Sequence, residues 1–110
     1  MLKTLTLVKR KTGLSRSEFF EAWQRHTREW DLVDHPEISL NLLRMVELPD
    51  GAAFEYDGMA ENHWPDRESL DRVVAWYATE AGAKHMADLM SFMDTENSPT
   101  VIVSGEADIS

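Results

Sequence analysis

The alternation of apolar and polar residues along the chain predicts four β-strands. Residues 2–10 and 54–64 show the alternation most clearly, and residues 2–10 place Leu and Val between Thr residues, a combination that favours extended backbone. Residues 38–48 and 100–106 are shorter stretches rich in Leu, Ile and Val, and they predict two further strands. A Pro-Asp-Gly turn signal at 49–51 separates the second strand from the third.

A different spacing, with apolar residues three and four positions apart, predicts helices between the strands. The first is expected from residue 16 to about residue 33, and a capping-box signature marks its start, because Ser15 is followed three positions later by Glu18. After the third strand, Asp66 is the predicted N-cap of a second helical region, and residues 79–93 form the second piece of that region.

The order strand, helix, strand, strand, helix, strand predicts an α+β fold of the ferredoxin-like βαββαβ type. Such a fold has a four-stranded antiparallel sheet with both helices on one face. At 110 residues the chain is expected to form one domain over residues 1–110. The first strand carries apolar residues on both faces, with Leu5 and Leu7 on one and Leu2 and Val8 on the other. An apolar sheet face that the helices leave bare needs a cover, so we expect a homodimer.

Composition narrows the classes of partner and cofactor. The 20 acidic residues against 11 basic ones give a net charge of −9, which repels phosphate backbones and anionic lipid, so we expect neither nucleic acid nor a membrane as a partner. The sequence has no cysteine, no HExxH-type metal motif and no glycine-rich phosphate loop, so we expect no metal and no cofactor. With no apolar run of about 20 residues and no signal-peptide pattern, a cytoplasmic location is expected.

The first predicted helix carries an aromatic stripe that contains a histidine. Phe19, Trp23, His26 and Trp30 follow one another at spacings of four, three and four residues, which places them on one face of a helix. One interpretation is an ordinary amphipathic core with His26 hydrogen-bonded at its edge. The other is a pocket wall, in which a partly desolvated His26 acts as a base near neutral pH.

The other histidines have weaker signals. His63 and Glu61 lie on the same face of the third strand, so the carboxylate can orient the imidazole, whereas Asn62 lies on the opposite face. A solvated strand end is the alternative interpretation for His63. His35 precedes a proline in a predicted loop and is expected at the surface, and His85 is expected to be exposed or at an interface.

Three segments resemble the EthD-like family of the dimeric α/β-barrel, ferredoxin-like superfamily. They are VKRKTGLSRSEFFEAWQRH, YDGMAENHWPDRESL and SFMDTENSPTVIV, which come in the family's order, and the resemblance extends over almost the whole chain, from residue 8 to residue 103. The resemblance implies a dimeric α/β barrel with a pocket between the helices and the sheet. It also implies chemistry of the kind known in relatives, namely polyketide cyclisation, decarboxylation, lactone isomerisation or oxygenation without a cofactor.

Two functions are suggested by the pattern and the resemblance together. The first is a cofactor-independent enzyme that acts on a small aromatic or polyketide-like metabolite, with proton transfer next to a carbonyl. In this hypothesis His26 and His63 are the candidate catalytic residues, and the substrate contacts are Phe19, Trp23, Trp30, Tyr56 and Asn62. The second is a non-catalytic dimer that binds a hydrophobic metabolite or assists a degradation enzyme. It is favoured by the spacing of His26, three residues after Trp23 where the family commonly has four, and by a second strand without tyrosine.

Overall fold

The structure is a computed structural model that describes residues 1–110. Its elements, in chain order, are β1 (Leu2–Val8), α1 (Arg16–His26), a π-helical turn (Thr27–Asp31), α2 (Leu32–Asp34), β2 (Leu40–Met45), β3 (Gly58–Trp64), α3 (Arg67–Trp76), α4 (Glu80–Met90), a 3₁₀ turn (Thr95–Asn97) and β4 (Thr100–Ile102). None of the helices is long and apolar enough to cross a membrane.

The four strands form one antiparallel sheet in the order β2-β3-β1-β4. This order confirms the predicted ferredoxin-like α+β fold. The long helices pack on one face of the sheet, where a buried cluster joins β1, α1 and the segment after α4. The members of this cluster are Val8, Phe19, Trp23, Phe92 and Met93.

The helix starts agree with the sequence signals, whereas the first helix departs from the predicted single α-helix. Ser15 accepts a hydrogen bond from the Glu18 backbone while the Glu18 carboxylate accepts one from the Ser15 backbone, which is the predicted capping box. The Asp66 carboxylate likewise caps α3 by accepting from the Ser69 backbone. After His26, however, the α-helix gives way to the π-helical turn before α2 ends at Asp34.

The strands are shorter than predicted because their ends are used in connections. The second strand, predicted over residues 38–48, occupies Leu40–Met45, and the fourth, predicted over 100–106, occupies Thr100–Ile102. Alternation of side chains does not distinguish paired strand residues from extended residues beyond the ladder.

The two faces of the sheet differ in what covers them. On the helix side, a Cβ added to Gly58 would lie 2.6 Å from the Trp23 ring, so only glycine admits this close approach of α1 to β3. Strand alternation sends the neighbouring positions to the other face, which no element of the chain covers. We call this the open face; it contains Lys3, Leu5, Leu7, Leu40, Leu42, Arg44, Met59, Glu61, His63 and Val101.

Candidate active site

A cleft with two adjoining lobes lies between the helices and the sheet. The first lobe has a volume of about 310 Å³ and is lined by Trp23, Ala60, Met86, Leu89 and Met93. The second lobe, of about 300 Å³, lies against α3 and is lined by Ile38, Asn62, Trp64, Leu70 and Val73. Both lobes share Thr6, Asp31, Tyr77 and Thr100. This size and apolar lining with a few polar groups are typical of a pocket for a small molecule.

The shared carboxylate of Asp31 is held by two buried histidines. The Nε2 atom of His85 lies 2.6 Å from Asp31 Oδ1, and the Nε2 atom of His26 lies 3.5 Å from the same oxygen. The other ring nitrogen of His26, Nδ1, lies 2.7 Å from Oδ2 of Asp88 and donates to it. We call these four side chains the His–Asp cluster. The cluster places the negatively charged carboxylate of Asp31 at the junction of the two lobes, and the other three side chains lie on its side away from the cleft.

Burial and charge set the protonation states in this cluster. Burial lowers the pKa of His26, but its hydrogen bonds to Asp31 and Asp88 raise it by more, so the pKa lies above its usual value. Burial raises the pKa of Asp31, but its bonds from His26 and His85 outweigh this and hold it well below its usual range. Burial and the nearby carboxylates raise the pKa of Tyr77. The cleft therefore presents an ionised carboxylate beside a neutral phenol.

The π-helical turn brings Asp31 beneath His26. The backbone N–H of Leu32 donates to the carbonyl of Thr27, five residues back, which widens the turn by one residue. In an α-helix, residues five apart point about 140° away from each other. Sequence periodicity therefore places Asp31 away from His26 and does not predict it as a site residue. No signal in the sequence identifies the wider turn.

Three atoms of the cluster also meet the distance requirement for a metal ion. One ring nitrogen of His26, one of His85 and a carboxylate oxygen of Asp31 all lie within 4.8 Å of one another. Two imidazoles and one carboxylate suit a divalent transition metal, and Asp88 would orient His26 as a second partner. The sequence expectation that there is no metal site stays a prediction, which metal removal with EDTA tests.

The structure brings some of the predicted substrate contacts to the cleft and not others. Trp23 lines the first lobe and Asn62 lines the second. Phe19 lies in the core behind Trp23, with ring centroids 5.5 Å apart. Trp30 stacks on His26 at a centroid distance of 6.5 Å without lining either lobe. His26 itself is only 1% exposed and reaches the cleft only through Asp31.

Tyr56 and His63 lie away from this cleft. Tyr56 is in the connection between β2 and β3, where its ring packs edge-on against Phe54, and it lines neither lobe. His63 lies on the open face, and its Nε2 atom is 2.7 Å from Oε2 of Glu61, the pairing that strand alternation predicts. Within one chain, His26 and His63 are therefore on opposite faces of the sheet.

The expected surface positions of His35 and His85 are wrong. His35 is 4% exposed and His85 is 1% exposed. The rings of Trp76 and Tyr77, at the end of α3, pack edge-on against both histidines and enclose them. Such contacts join distant parts of the chain, so the local pattern around each histidine does not reveal them.

Comparison with known proteins supports the fold. No protein-family model matches the sequence, and the search of curated proteins found no match. Among solved structures, SnoaB, a cofactor-independent oxygenase from Streptomyces nogalater, matches with a TM-score of 0.64 and 13% identity, over 98% of this chain and 95% of SnoaB. An EthD family protein from Bacillus halodurans matches with a TM-score of 0.60 and 20% identity, over 96% of this chain and all of the other.

A third similar structure is that of a dimeric protein. A dimeric ferredoxin-like protein from Thermobifida fusca, of unknown function, matches with a TM-score of 0.64 and 11% identity, over 93% of this chain and 88% of that one. At these identities the similarity shows the fold alone, and this chain has the ferredoxin-like α+β fold.

Proposed function

We propose that this protein is a cofactor-independent enzyme that moves a proton next to a carbonyl group of a small aromatic or polyketide-like molecule. The observation that carries the proposal is the placement of Asp31, a single carboxylate at the junction of an apolar two-lobed cleft with two buried histidines behind it. Charged groups with shifted pKa values in a cleft are characteristic of catalytic sites. The fold shared with a cofactor-independent oxygenase agrees with this chemistry.

The cluster offers a route for the proton. In the form that is active in this proposal, His26 is neutral, its Nδ1–H donates to Asp88, and its Nε2 lone pair faces Asp31. Asp31 takes the proton from the substrate carbon and passes it to His26 Nε2, while the electron pair of the broken C–H bond forms an enolate. The neutral phenol of Tyr77 lines both lobes and donates a hydrogen bond to the enolate oxygen.

The second candidate is a binding protein without catalysis. The observation that favours it is that His26, the predicted base, has no direct access to the cleft. A protein of this kind would bind the same apolar molecules but would leave their carbon-bound protons in place. The two candidates therefore differ in a measurable step.

We also propose that two chains pack through their open faces. Leu5, Leu7 and Met59 make this face largely apolar, and no element of the chain covers it. A structural neighbour of the same fold is dimeric. A second copy of this sheet covers such a face most simply, because it carries the same apolar residues.

The experiment follows deuterium exchange into 2-tetralone, a planar bicyclic ketone with acidic protons next to its carbonyl. Proton NMR in D₂O measures the loss of these signals with and without protein. We expect saturable acceleration by the wild type and a loss on the order of 10²-fold in Asp31→Asn, because the cleft then lacks its base. Asp71→Asn is the matched control, since Asp71 pairs with Arg67 on the surface of α3, and it should keep the full rate.

Two outcomes would contradict the enzyme proposal. Saturable binding of 2-tetralone without acceleration of exchange would support the binding protein instead. Loss of exchange in EDTA, with recovery on adding zinc, would assign the three ligand atoms of His26, Asp31 and His85 to a metal site. We expect EDTA to leave the rate unchanged.

A further inference from the structure

The second lobe contains a buried histidine that has no hydrogen-bond partner. His35 is 4% exposed and lines the lobe, and neither its Nδ1 nor its Nε2 atom is bonded to any group in the protein. Buried polar groups are nearly always paired, and an unpaired one in a cavity therefore calls for an explanation. The His–Asp cluster does not supply one, because it bonds to neither nitrogen of His35.

Three rings fix the orientation of His35. Trp76 packs edge-on at a centroid distance of 5.0 Å, and Tyr77 and His85 lie at 5.9 and 5.2 Å. Burial lowers the pKa of His35, and this effect outweighs the attraction of the carboxylates Asp31 and Asp34. The ring therefore stays neutral and presents one N–H donor and one acceptor nitrogen.

The side chains that line the cleft make the binding of an acidic ligand unfavourable. No lysine or arginine lines either lobe, and the ionisable side chains that do are Asp31, His35 and Tyr77. A carboxylate or phosphate bound there would lie close to Asp31 without a basic residue to balance its charge, which is unfavourable in an apolar cavity. The remaining polar groups of the second lobe are neutral and include Asn62 and Thr4.

We propose that His35 recognises an oxygen atom of an uncharged, planar, fused-ring ketone or phenol bound in the second lobe. The apolar side chains of Ile38, Leu70 and Val73 enclose the rings, and the hydrogen bond to His35 holds the far end of the molecule. Its reactive carbon then lies at the junction of the lobes, beside Asp31. This inference rests on the proposed function for the reaction, but the binding it describes is tested separately.

Isothermal titration calorimetry with three naphthalene compounds tests the inference. The probes are 2-naphthol, naphthalene and 2-naphthoate, which share the rings and differ in having a neutral oxygen, no oxygen and a charged group. We expect the wild type to bind 2-naphthol about tenfold more tightly than naphthalene, the effect of one hydrogen bond. We expect 2-naphthoate to bind more weakly than both.

The substitution His35→Phe keeps the ring shape and removes both nitrogens. It should abolish the preference for 2-naphthol over naphthalene while leaving naphthalene affinity unchanged. His35→Gln, which keeps a donor and an acceptor, should restore part of the preference. Asp71→Asn is the control, because Asp71 pairs with Arg67 on the exposed surface of α3, and it should bind all three probes as the wild type does. A thermal melt of each variant confirms that it is folded.

Three results would overturn the inference. They are the absence of saturable 2-naphthol binding by the wild type, equal affinity for 2-naphthol and 2-naphthoate, and an unchanged preference in folded His35→Phe. If His35→Phe does not fold, His35→Met, which also removes both nitrogens, is compared with the wild type instead, and a preference for 2-naphthol as large as that of the wild type counts against the inference. Should the binding pattern hold without deuterium exchange into 2-tetralone, the proposed function fails while the ligand class stands.

Discussion

Two histidines on opposite sides of the sheet, His26 at the end of α1 and His63 in β3, each contact a carboxylate, but their surroundings differ. His26 lies 2.7 Å from Asp88 and its side chain is 2% exposed, whereas His63 lies 2.7 Å from Glu61 and is 14% exposed. His26 has a second carboxylate neighbour, Asp31, which opens onto the cleft. A histidine bonded to a carboxylate is therefore a candidate catalytic residue only where a cavity adjoins the pair.

The largest effect is expected on the exchange rate, when histidine is replaced by glutamine at position 26 and, for comparison, at position 63. His26→Gln removes the group that takes the proton from Asp31, so deuterium exchange into 2-tetralone should fall on the order of 10²-fold. His63→Gln should keep the wild-type rate. Glutamine can still donate a hydrogen bond to Asp88, but it carries no charge to pair with the two carboxylates. We therefore expect His26→Gln to lower the free energy of unfolding by about 1–2 kcal/mol, measured by urea unfolding.

Equal exchange rates for the two glutamine variants would remove the distinction between the faces. A fall in His63→Gln alone would move the chemistry to the open face.

The next largest effect is expected on the affinity of the proposed dimer, in which a second chain covers the open face. Leu5 lies opposite Glu61 and Val101 in the sheet register, so Leu5→Glu places a charge in the proposed dimer contact. We expect the dimer to weaken on the order of tenfold or more, because an unpaired charge is costly to bury. Val33→Glu is the control, since Val33 is 69% exposed on the helix side.

Light scattering at micromolar concentration measures this effect. Wild type and Val33→Glu should show twice the monomer mass of 12.6 kDa, and Leu5→Glu should approach the monomer mass. A monomeric wild type would refute the proposed assembly.

The smallest effect is expected on the pH dependence of stability, and it comes from His26 on the helix side of the sheet. The pKa of His26 is raised in the folded protein, because its bonds to Asp31 and Asp88 outweigh burial. Its contribution to stability is therefore complete below the unfolded pKa of about 6.5 and is lost as the pH rises through the folded pKa. The difference in melting temperature between wild type and His26→Gln should shrink from pH 6 to pH 9. A constant difference would show that His26 does not titrate in this range.

Much of the fold can be predicted from local patterns. The capping box at Ser15 and the N-cap at Asp66 appear where the sequence predicts them, and the order of strands and helices gives the sheet topology. These features depend on residues close together in the chain, or on the period of apolar positions. The same period predicts the inward direction of His26.

The candidate site is less accessible to sequence reasoning because distant segments build it. His35 joins it through contacts with Trp76 and Tyr77, about 40 positions further along the chain. His85 joins it through Asp31, which no α-helical period places beside His26. Local exposure rules, such as the one that assigns His35 to the surface next to a proline, contain no information about such partners.

The π-helical turn has a consequence for comparing this chain with others. An unbroken α-helix would continue the aromatic stripe to Val33, seven residues after His26, but one extra residue in a turn rotates all later residues of the helix by about 100°. Leu32 and Val33 are accordingly 58% and 69% exposed, while Asp31 lines the cleft. A relative with one residue fewer in this turn would place the same carboxylate four residues after its histidine, on the same face of an unbroken α-helix. A single-residue gap in an alignment would therefore be compatible with the same pairing of histidine and carboxylate, whereas an ungapped relative with an unbroken α-helix would have the residue equivalent to Trp30 in that place.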